Sequence, residues 1–119
     1  MKRVLVTGGS GFIGTNLVES LLRDGVRVLS LDTQRPKLRE HEDLYRAIDI
    51  LDAADLKDAI DGFRPDEIYH LAARTDLDGN TVDDYSANIQ GVRNILDCAN
   101  RCSYINKVMF FSSKFVCRM

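Results

Sequence analysis

Tryptophan is absent from the 119 residues, and histidine, proline and cysteine are scarce, at two, two and three residues. The two histidines, His41 and His70, lie far in sequence from Cys98 and Cys102, so no metal-binding pattern is predicted. With Cys117 the number of cysteines is odd, so they cannot all pair within one chain, and the N-terminal apolar run is too short for an export signal. We therefore expect reduced thiols and a cytoplasmic protein.

Two further absences exclude classes of partner. No apolar run approaches the roughly 18 residues that a membrane-spanning helix needs, so no membrane segment is predicted. The chain has 16 basic and 18 acidic residues, interspersed, for a net charge of −2, which argues against a protein that binds nucleic acid through a basic face. The remaining composition, 45% apolar and 29% charged, is typical of a globular protein of one domain.

Short apolar runs alternate with helical patterns along the whole chain. Strands are predicted at residues 4–6, 26–31, 44–50, 68–71 and 108–111. Helices are predicted at about 12–24, 52–63 and 81–102, with polar loops at 33–43 and 74–80. Short strands that are apolar on both faces and joined by helices are typical of a parallel sheet covered on both sides. We predict an α/β fold, a doubly wound Rossmann sheet with strand order 3-2-1-4-5.

A glycine segment, Thr7-Gly8-Gly9-Ser10-Gly11-Phe12-Ile13-Gly14, joins the first predicted strand to the first predicted helix. Glycines lack the Cβ atoms that would keep a dinucleotide pyrophosphate away from the backbone. The first turn of the following helix offers free N–H groups and the positive end of the helix dipole. The alternative is a tight turn without a ligand. The strand before the segment and the helix after it favour a dinucleotide site.

Asp32 ends the second predicted strand, 18 residues after Gly14. A carboxylate at this place can accept hydrogen bonds from the adenosine ribose hydroxyls and repels a 2′-phosphate, which favours NAD over NADP. Arg35 is the only nearby cation that argues for NADP. Asp32 as a solvated strand end is the structural alternative. A flavodoxin-like regulator without nucleotide would give no reason for Asp32, Asp49 and the glycine segment to occur together.

With these motifs the sequence resembles the extended short-chain dehydrogenase/reductases, which include NAD-dependent nucleotide-sugar epimerases and dehydratases. The glycine segment resembles the TGGxGFIG loop of that family, and Asp32 resembles its ribose-binding acid. Asp49-Ile50 resembles the pair that contacts the adenine, although Asp49 alone also fits a polar strand end. Further along, His70-Leu71-Ala72-Ala73 resembles the HxAA run beneath the cofactor. The spacing of Asn88, Gly91 and Asn94 resembles the family's N-x-x-G-x-x-N pattern.

The resemblance implies that NAD is the cofactor and that residues following the first four strands hold it. These residues are Gly8, Gly11, Phe12, Ile13, Gly14, Asp32, Asp49, Ile50, Leu71, Ala72 and Ala73. His70 lies on an apolar strand, and we expect a hydrogen-bonded core residue there, not a catalyst. The small side chains of Ala72 and Ala73 would leave room for ribose and phosphate.

Residues 111–116, Phe-Ser-Ser-Lys-Phe-Val, resemble the SSxxVYG end of the family's fifth strand, which implies that Ser113 is the catalytic Ser/Thr. The pattern departs at Cys117, where the family has tyrosine. The family's proton acceptor is a Tyr-x-x-x-Lys pair, and no tyrosine here has a lysine four residues later, since Tyr104 and Lys107 are one residue too close. The resemblance therefore implies that residues 1–119 are the NAD(P)-binding Rossmann part of a larger enzyme, without its substrate lobe. The alternative is a truncated, non-catalytic nucleotide-binding module.

The expected partners follow from the same resemblance. A nucleotide-sugar would be the substrate of the parent enzyme, whose sugar the sequence does not identify. Residues 108–111 would form a strand edge with apolar side chains, so we also expect self-association, through residues 107–113 or through the helix at 81–102. Neither a nucleic acid nor a membrane is an expected partner.

Overall fold

The computed structural model describes residues 2–71 and 82–110, with the helix backbone alone over 82–89. The strands are β1 (Arg3–Thr7), β2 (Arg27–Asp32), β3 (Tyr45–Ala47), β4 (Glu67–His70) and β5 (Lys107–Phe110). The helices are α1 (Phe12–Arg23), α2 (Ala53–Phe63) and α3 (Val82–Arg101), with a 3-10 helix at Arg39–Leu44. All strand pairs are parallel and the order is β3-β2-β1-β4-β5, which confirms the predicted doubly wound sheet.

Strand β1 lies at the centre of the sheet because it is apolar on both faces. Val4 and Val6 pack on one side with Val18 of α1, whereas Leu5 packs on the other side with residues of α2 and α3 such as Ile60. All of these side chains are fully buried. Burial of both faces fixes the register of β1 between β2 and β4, so the position of the glycine segment at its end is fixed as well.

The boundaries of α1 and α2 lie close to the positions that the sequence predicts. Helix α1 ends at Arg23, close to the predicted end at residue 24, and is followed by Gly25, whose φ of +79° a glycine adopts without strain. Helix α2 begins at Asp52, whose carboxylate accepts a hydrogen bond from the Asp55 N–H at 3.1 Å. It ends at Arg64, a non-glycine residue with a φ of +54°, whose guanidinium lies 4.2 Å from the centre of the Tyr104 ring.

Two sequence predictions differ from the structure. The third strand, predicted over 44–50, extends only from Tyr45 to Ala47, because the chain turns towards α2 at Asp49. The predicted polar loop at 33–43 contains part of the 3-10 helix, which is held to α1 by a 2.7 Å contact between His41 Nε2 and Glu19. Within residues 2–71 and 82–110, no helix has the combination of length and apolar composition that a bilayer crossing requires.

Candidate functional site

The first half of the glycine segment lies along the end of β2. The Gly8 N–H donates to the Leu31 carbonyl oxygen at 2.8 Å, and Gly8 has a φ of +78°. A Cβ on Gly9 would lie 3.0 Å from Ser30 Cβ and overlap the Ser30 hydroxyl. Gly9 was not among the predicted site residues. Gly9, Gly11 and Gly14 nevertheless fit the pattern G-x-G-x-x-G, in which the first glycine allows such a tight turn.

Gly14 and Gly11 differ in what the protein itself requires of them. A Cβ on Gly14 would overlap the Gly8 carbonyl oxygen and lie 2.7 Å from Gly9 Cα, so this glycine lets α1 pack against the loop. A Cβ on Gly11 would meet only the Gly8 oxygen, at an ordinary 3.6 Å. The backbone of Gly11 is extended, at φ −76° and ψ 177°, which any residue can adopt. Packing within the described residues therefore explains Gly14 but not Gly11.

The N-terminus of α1 is open to an anion. Gly11 occupies the N-cap position and has no side chain with which to cap the helix, and the first turn carries no acidic residue. The next two residues are exposed, Phe12 at 77% and Ile13 at 45%. The Thr15 hydroxyl donates backwards to the Gly11 carbonyl oxygen at 2.7 Å. The positive end of the helix dipole thus lies beside the glycine segment without a carboxylate from its own first turn.

Asp32 lies where the sequence predicted, at the end of β2 beside the glycine segment. Its half-buried carboxylate accepts a hydrogen bond from the Ser10 N–H at 3.1 Å on one oxygen and from the Gln34 N–H at 3.0 Å on the other. The Ser10 hydroxyl in turn donates to the Gln34 carbonyl oxygen at 2.7 Å. The carboxylate is therefore held in one orientation by the two loops that flank it. Sequence reasoning did not identify Ser10 or Gln34, because neither belongs to a recognisable pattern.

Asp49 and Ile50 follow β3 and occupy different environments. Asp49 is exposed, and its carboxylate accepts a hydrogen bond from the Leu51 N–H at 2.9 Å, as in a polar turn. Ile50 packs against α3, where a Cβ on Gly91 would lie 2.6 Å from Ile50 Cδ1. The Asn94 side chain donates to the Ile50 carbonyl oxygen at 2.7 Å. The glycine and second asparagine of the N-x-x-G-x-x-N pattern thus fix the position of Ile50.

A buried polar pair lies at the ends of β1 and β4. Thr7 Oγ1 lies 2.7 Å from His70 Nδ1, and the Leu71 N–H donates to the same Thr7 oxygen at 3.2 Å. The edge of the His70 ring contacts Phe110, with ring centroids 5.5 Å apart. His70 is 2% exposed, and burial lowers the pKa of its imidazole from 6.5 to about 4. His70 is therefore neutral at pH 7, which confirms the expectation of a hydrogen-bonded core residue.

The fold brings most of the predicted site residues to one edge of the sheet. The glycine segment, Asp32, Asp49 and Leu71 each follow the carboxyl end of a parallel strand, which is the edge where open α/β sheets bind their ligands. The direct contacts among them join Ser10 of the glycine segment to Asp32, and Thr7 to Leu71. Three further predicted site residues, Ala72, Ala73 and Ser113, lie outside the described residues.

Relatives of known name share this sequence over nearly its full length. The 3-beta-hydroxysteroid dehydrogenase of Mycolicibacterium neoaurum is 36% identical over 98% of this chain and 33% of its own length. The UDP-glucose 4-epimerase of Mycolicibacterium smegmatis is 35% identical over 93% of this chain and 38% of its own length. The chain therefore spans about a third of the length of these relatives.

The structure and the family profile agree with these sequence matches. The crystal structure of Thermus thermophilus UDP-glucose 4-epimerase in complex with NAD superposes with a TM-score of 0.76 and 33% identity, covering 86% of this chain and 35% of that one. The profile of the NAD dependent epimerase/dehydratase family matches residues 4–117. With the profile match over nearly the whole chain and relatives above 30% identity, this chain belongs to the NAD dependent epimerase/dehydratase family.

Proposed function

We propose that residues 1–119 are the NAD-binding portion of an enzyme that oxidises a hydroxyl group of a nucleotide-sugar, as an epimerase or dehydratase does. The observation that carries the proposal is the N-terminus of α1. It is preceded by the glycine segment, carries no carboxylate in its first turn, and lies next to the oriented Asp32. Together these features provide an anion site and a ribose-hydroxyl acceptor side by side.

The residues present fit two parts of the cofactor, its pyrophosphate and its adenosine ribose. The N–H groups at the start of α1 would hold the pyrophosphate, with Gly11 leaving space for its approach. Each Asp32 oxygen accepts one N–H from the protein and retains a further lone pair, so the carboxylate can still accept from the 2′ and 3′ ribose hydroxyls. Exposed Phe12 and Ile13 would cover the cofactor from the helix side.

The remaining cofactor contacts are proposed from position along the sheet edge. Asp49 would accept from the adenine amino group, and Ile50, held by Asn94, would contact the ring. Leu71, with Ala72 and Ala73 after it, would lie beneath the cofactor. Because these residues follow β3 and β4, they flank the glycine segment, which follows the central strand β1.

For the chemistry, bound NAD would supply a hydride acceptor, and this chain would bind and orient it. We propose that the Ser113 hydroxyl hydrogen-bonds the reacting substrate oxygen. None of the four tyrosines has a lysine four residues later. We therefore propose cofactor binding without turnover for these 119 residues alone, since a positioned general base typically contributes about 10²–10⁴-fold.

A steroid hydroxyl is the second candidate substrate, because relatives named as steroid dehydrogenases and as UDP-glucose epimerases match this chain at 36% and 35% identity. Both names describe proteins that act on a hydroxyl-bearing carbon. The match of the chain to the epimerase/dehydratase profile over residues 4–117 favours the nucleotide-sugar. With the full-length protein, turnover of a panel of nucleotide-sugars and not of hydroxysteroids is the expected outcome. The reverse result would assign the second candidate.

Self-association and a cytoplasmic location complete the proposal. In the described part of the sheet β5 is an edge strand, and Phe110 on it is 45% exposed, so residues 107–110 provide a template for pairing with a second copy. We propose that this pairing extends over residues 107–113. The helix at 81–102 is the other surface that we propose for such contacts. Sedimentation of the chain should show species larger than a monomer. Cys98 and Cys102 are unpaired thiols, which supports a reducing compartment such as the cytoplasm.

Calorimetric titration of the chain with NAD and NADP tests the cofactor assignment. We expect NAD to bind more tightly by about fivefold or more, because a carboxylate facing a 2′-phosphate is strongly repulsive in a partly buried site. Asp32→Ala should narrow this preference. Asp58→Ala removes the same charge from an exposed position on α2 and should leave it unchanged. Equal affinities of the unaltered chain for the two cofactors would contradict the proposal.

A further inference from the structure

The glycine segment and the turn after β2 are joined by a continuous set of hydrogen bonds. The Ser10 N–H binds one oxygen of Asp32, and the Gln34 N–H binds the other. The Ser10 hydroxyl closes the set by donating to the Gln34 carbonyl oxygen at 2.7 Å. Ser10 therefore contacts both ends of the turn at 32–34, once with its backbone and once with its side chain.

Ser10 is the last buried residue before the segment becomes exposed. Its exposed fraction is 5%, whereas Gly11 and Phe12 after it, and Gln34 across from it, are exposed. A serine in an exposed loop normally directs its hydroxyl to water. Here the hydroxyl is enclosed and its proton is committed to a carbonyl oxygen of the neighbouring loop. This arrangement fixes the distance between the two loops at the point where Asp32 lies between them.

We propose that Ser10 is a positioning residue for cofactor selectivity, acting through Asp32, an inference that rests on the proposed NAD-binding function. The Ser10 hydroxyl holds the turn at 32–34 against the glycine segment, so the Asp32 carboxylate occupies the space that a 2′-phosphate would need. When this turn is free to move outwards, the carboxylate can withdraw and the exposed cation Arg35 can approach the ribose. Ser10 thus keeps the affinity for NADP low without contacting the 2′-phosphate itself.

This role makes a prediction that a purely structural role does not. If Ser10 only stabilised the loop, its loss would weaken NAD and NADP binding by the same factor. If it positions Asp32, its loss weakens NAD binding while NADP binding is unchanged or improved. The ratio of the two dissociation constants is therefore the informative quantity.

The experiment compares the full chain with Ser10→Ala, Asp32→Ala and the double variant, by calorimetric titration with NAD and with NADP. Ser20→Ala, the same change at an exposed position on α1, is the matched control. A net hydrogen bond is typically worth about three- to tenfold in an equilibrium constant, so Ser10→Ala should narrow the NAD/NADP ratio by about that factor. In the Asp32→Ala background the serine substitution should change the ratio no further. Ser20→Ala should behave as the unaltered chain.

A second readout needs no cofactor. In the unliganded chain, the Gln34 amide should exchange with solvent about three- to tenfold faster in Ser10→Ala than in Ser20→Ala, as followed by NMR, since its bond to Asp32 loosens. An unchanged exchange rate of the Gln34 amide in Ser10→Ala, or an equal loss of affinity for NAD and NADP, would overturn the inference. Failure of the unaltered chain to bind NAD would overturn the proposed function and this inference with it, a result distinct from a failure in the serine variants alone.

Discussion

The N-termini of α1 and α2 face the same physical problem and solve it in opposite ways. Each begins a helix after a strand of the same sheet, and each presents unpaired N–H groups at the positive end of its dipole. Helix α2 supplies its own anion, since Asp52 caps it and Asp55 lies in its first turn. Helix α1 has Gly11 at the cap and only uncharged residues in its first turn. The start of α2 is therefore capped by the protein itself, whereas the start of α1 has no side-chain cap.

The contrast sets the proposed binding site against an ordinary capped helix start in the same fold. A helix start with a carboxylate cap is stabilised locally, by about 1 kcal/mol. A glycine cap gives up only a few tenths of a kcal/mol of that stabilisation and leaves the helix start accessible to an external anion. Phe12 and Ile13, the first two residues of α1, are exposed, which is consistent with a helix start that the protein does not cover. The predictions below test whether the two ends differ as described.

The largest expected effect separates the two kinds of glycine in the loop. Gly14→Ala should lower the free energy of unfolding by about 3 kcal/mol or more, because the new methyl group would overlap the backbone of Gly8 and Gly9. Gly11→Ala has no such overlap and should change stability by no more than about 0.5 kcal/mol. Its NAD affinity should nevertheless fall by about tenfold. Urea denaturation and calorimetry measure the two quantities, and an equal stability loss in both variants would remove the distinction.

Acid should destabilise the fold through His70, which lies at the end of β4 beside Thr7, the first residue of the glycine segment. The pKa of this imidazole is about 4 in the folded chain and 6.5 when it is free, because burial disfavours the charged form. Between these values the unfolded chain binds a proton that the folded chain excludes. Stability should therefore fall by about 2 kcal/mol from pH 7 to pH 4.5 and level off below pH 4.

The control for this prediction is His70→Asn, which does not titrate. The difference in unfolding free energy between the two proteins should shrink as the pH falls from 7 to 4.5. Hydrogen exchange gives the local view: the Leu71 amide, bonded to Thr7, should lose protection before the Leu56 amide, bonded to Asp52 in α2. A pH-independent difference between the proteins would show that His70 is not the group responsible.

A carboxylate placed at the N-cap of α1 should cap this helix as Asp52 caps α2. Gly11→Asp fits the extended backbone at this position and can cap α1 as Asp52 caps α2. We expect the unfolding free energy to rise by about 0.5 kcal/mol. The NAD affinity should fall by about tenfold or more, since the new charge repels the pyrophosphate. Gly11→Asn, a cap without the charge, should give the same stability and a smaller loss of affinity. Unchanged NAD affinity in Gly11→Asp would mean that the pyrophosphate binds elsewhere.

The sequence was sufficient to predict the fold and the position of Asp32 at the end of β2. The strand order and the place of Asp32 followed from local patterns, because apolar runs, glycines and a strand-end acid each have a short-range signature. The resemblance to a family added Asp49, Ile50 and Ser113 as site residues, and their roles stay predictions. Local patterns could also distinguish a capped helix start, at Asp52, from a glycine one.

Contacts between distant residues had no such signature. The bonds of Ser10 to Asp32 and Gln34 join positions 22 and 24 residues apart. The His41–Glu19 contact, which orders part of a predicted loop, also joins residues 22 apart. The end of α2 was predicted correctly at residue 63, but the left-handed conformation of Arg64 after it was not, because local propensity assigns this conformation to glycine and the contact of Arg64 with the Tyr104 ring has no local signature. Tertiary contacts decided each of these features.

A smaller expected effect than those of Gly14→Ala and of acid concerns the N-terminus of α2, which Asp52 caps. Asp52→Ala removes the acceptor of the Asp55 N–H and should lower the free energy of unfolding by about 1 kcal/mol in urea denaturation. The pKa of the Asp55 carboxyl is raised above its ordinary value, mainly by the negative charge of Asp52. This pKa should therefore fall in Asp52→Ala. Asp52→Asn separates the two consequences, because it keeps an acceptor oxygen and loses the charge. It should retain most of the stability yet show the lower Asp55 pKa by NMR. If Asp52→Ala left stability unchanged, α2 would not be closed by its own carboxylate, and its contrast with α1 would fail.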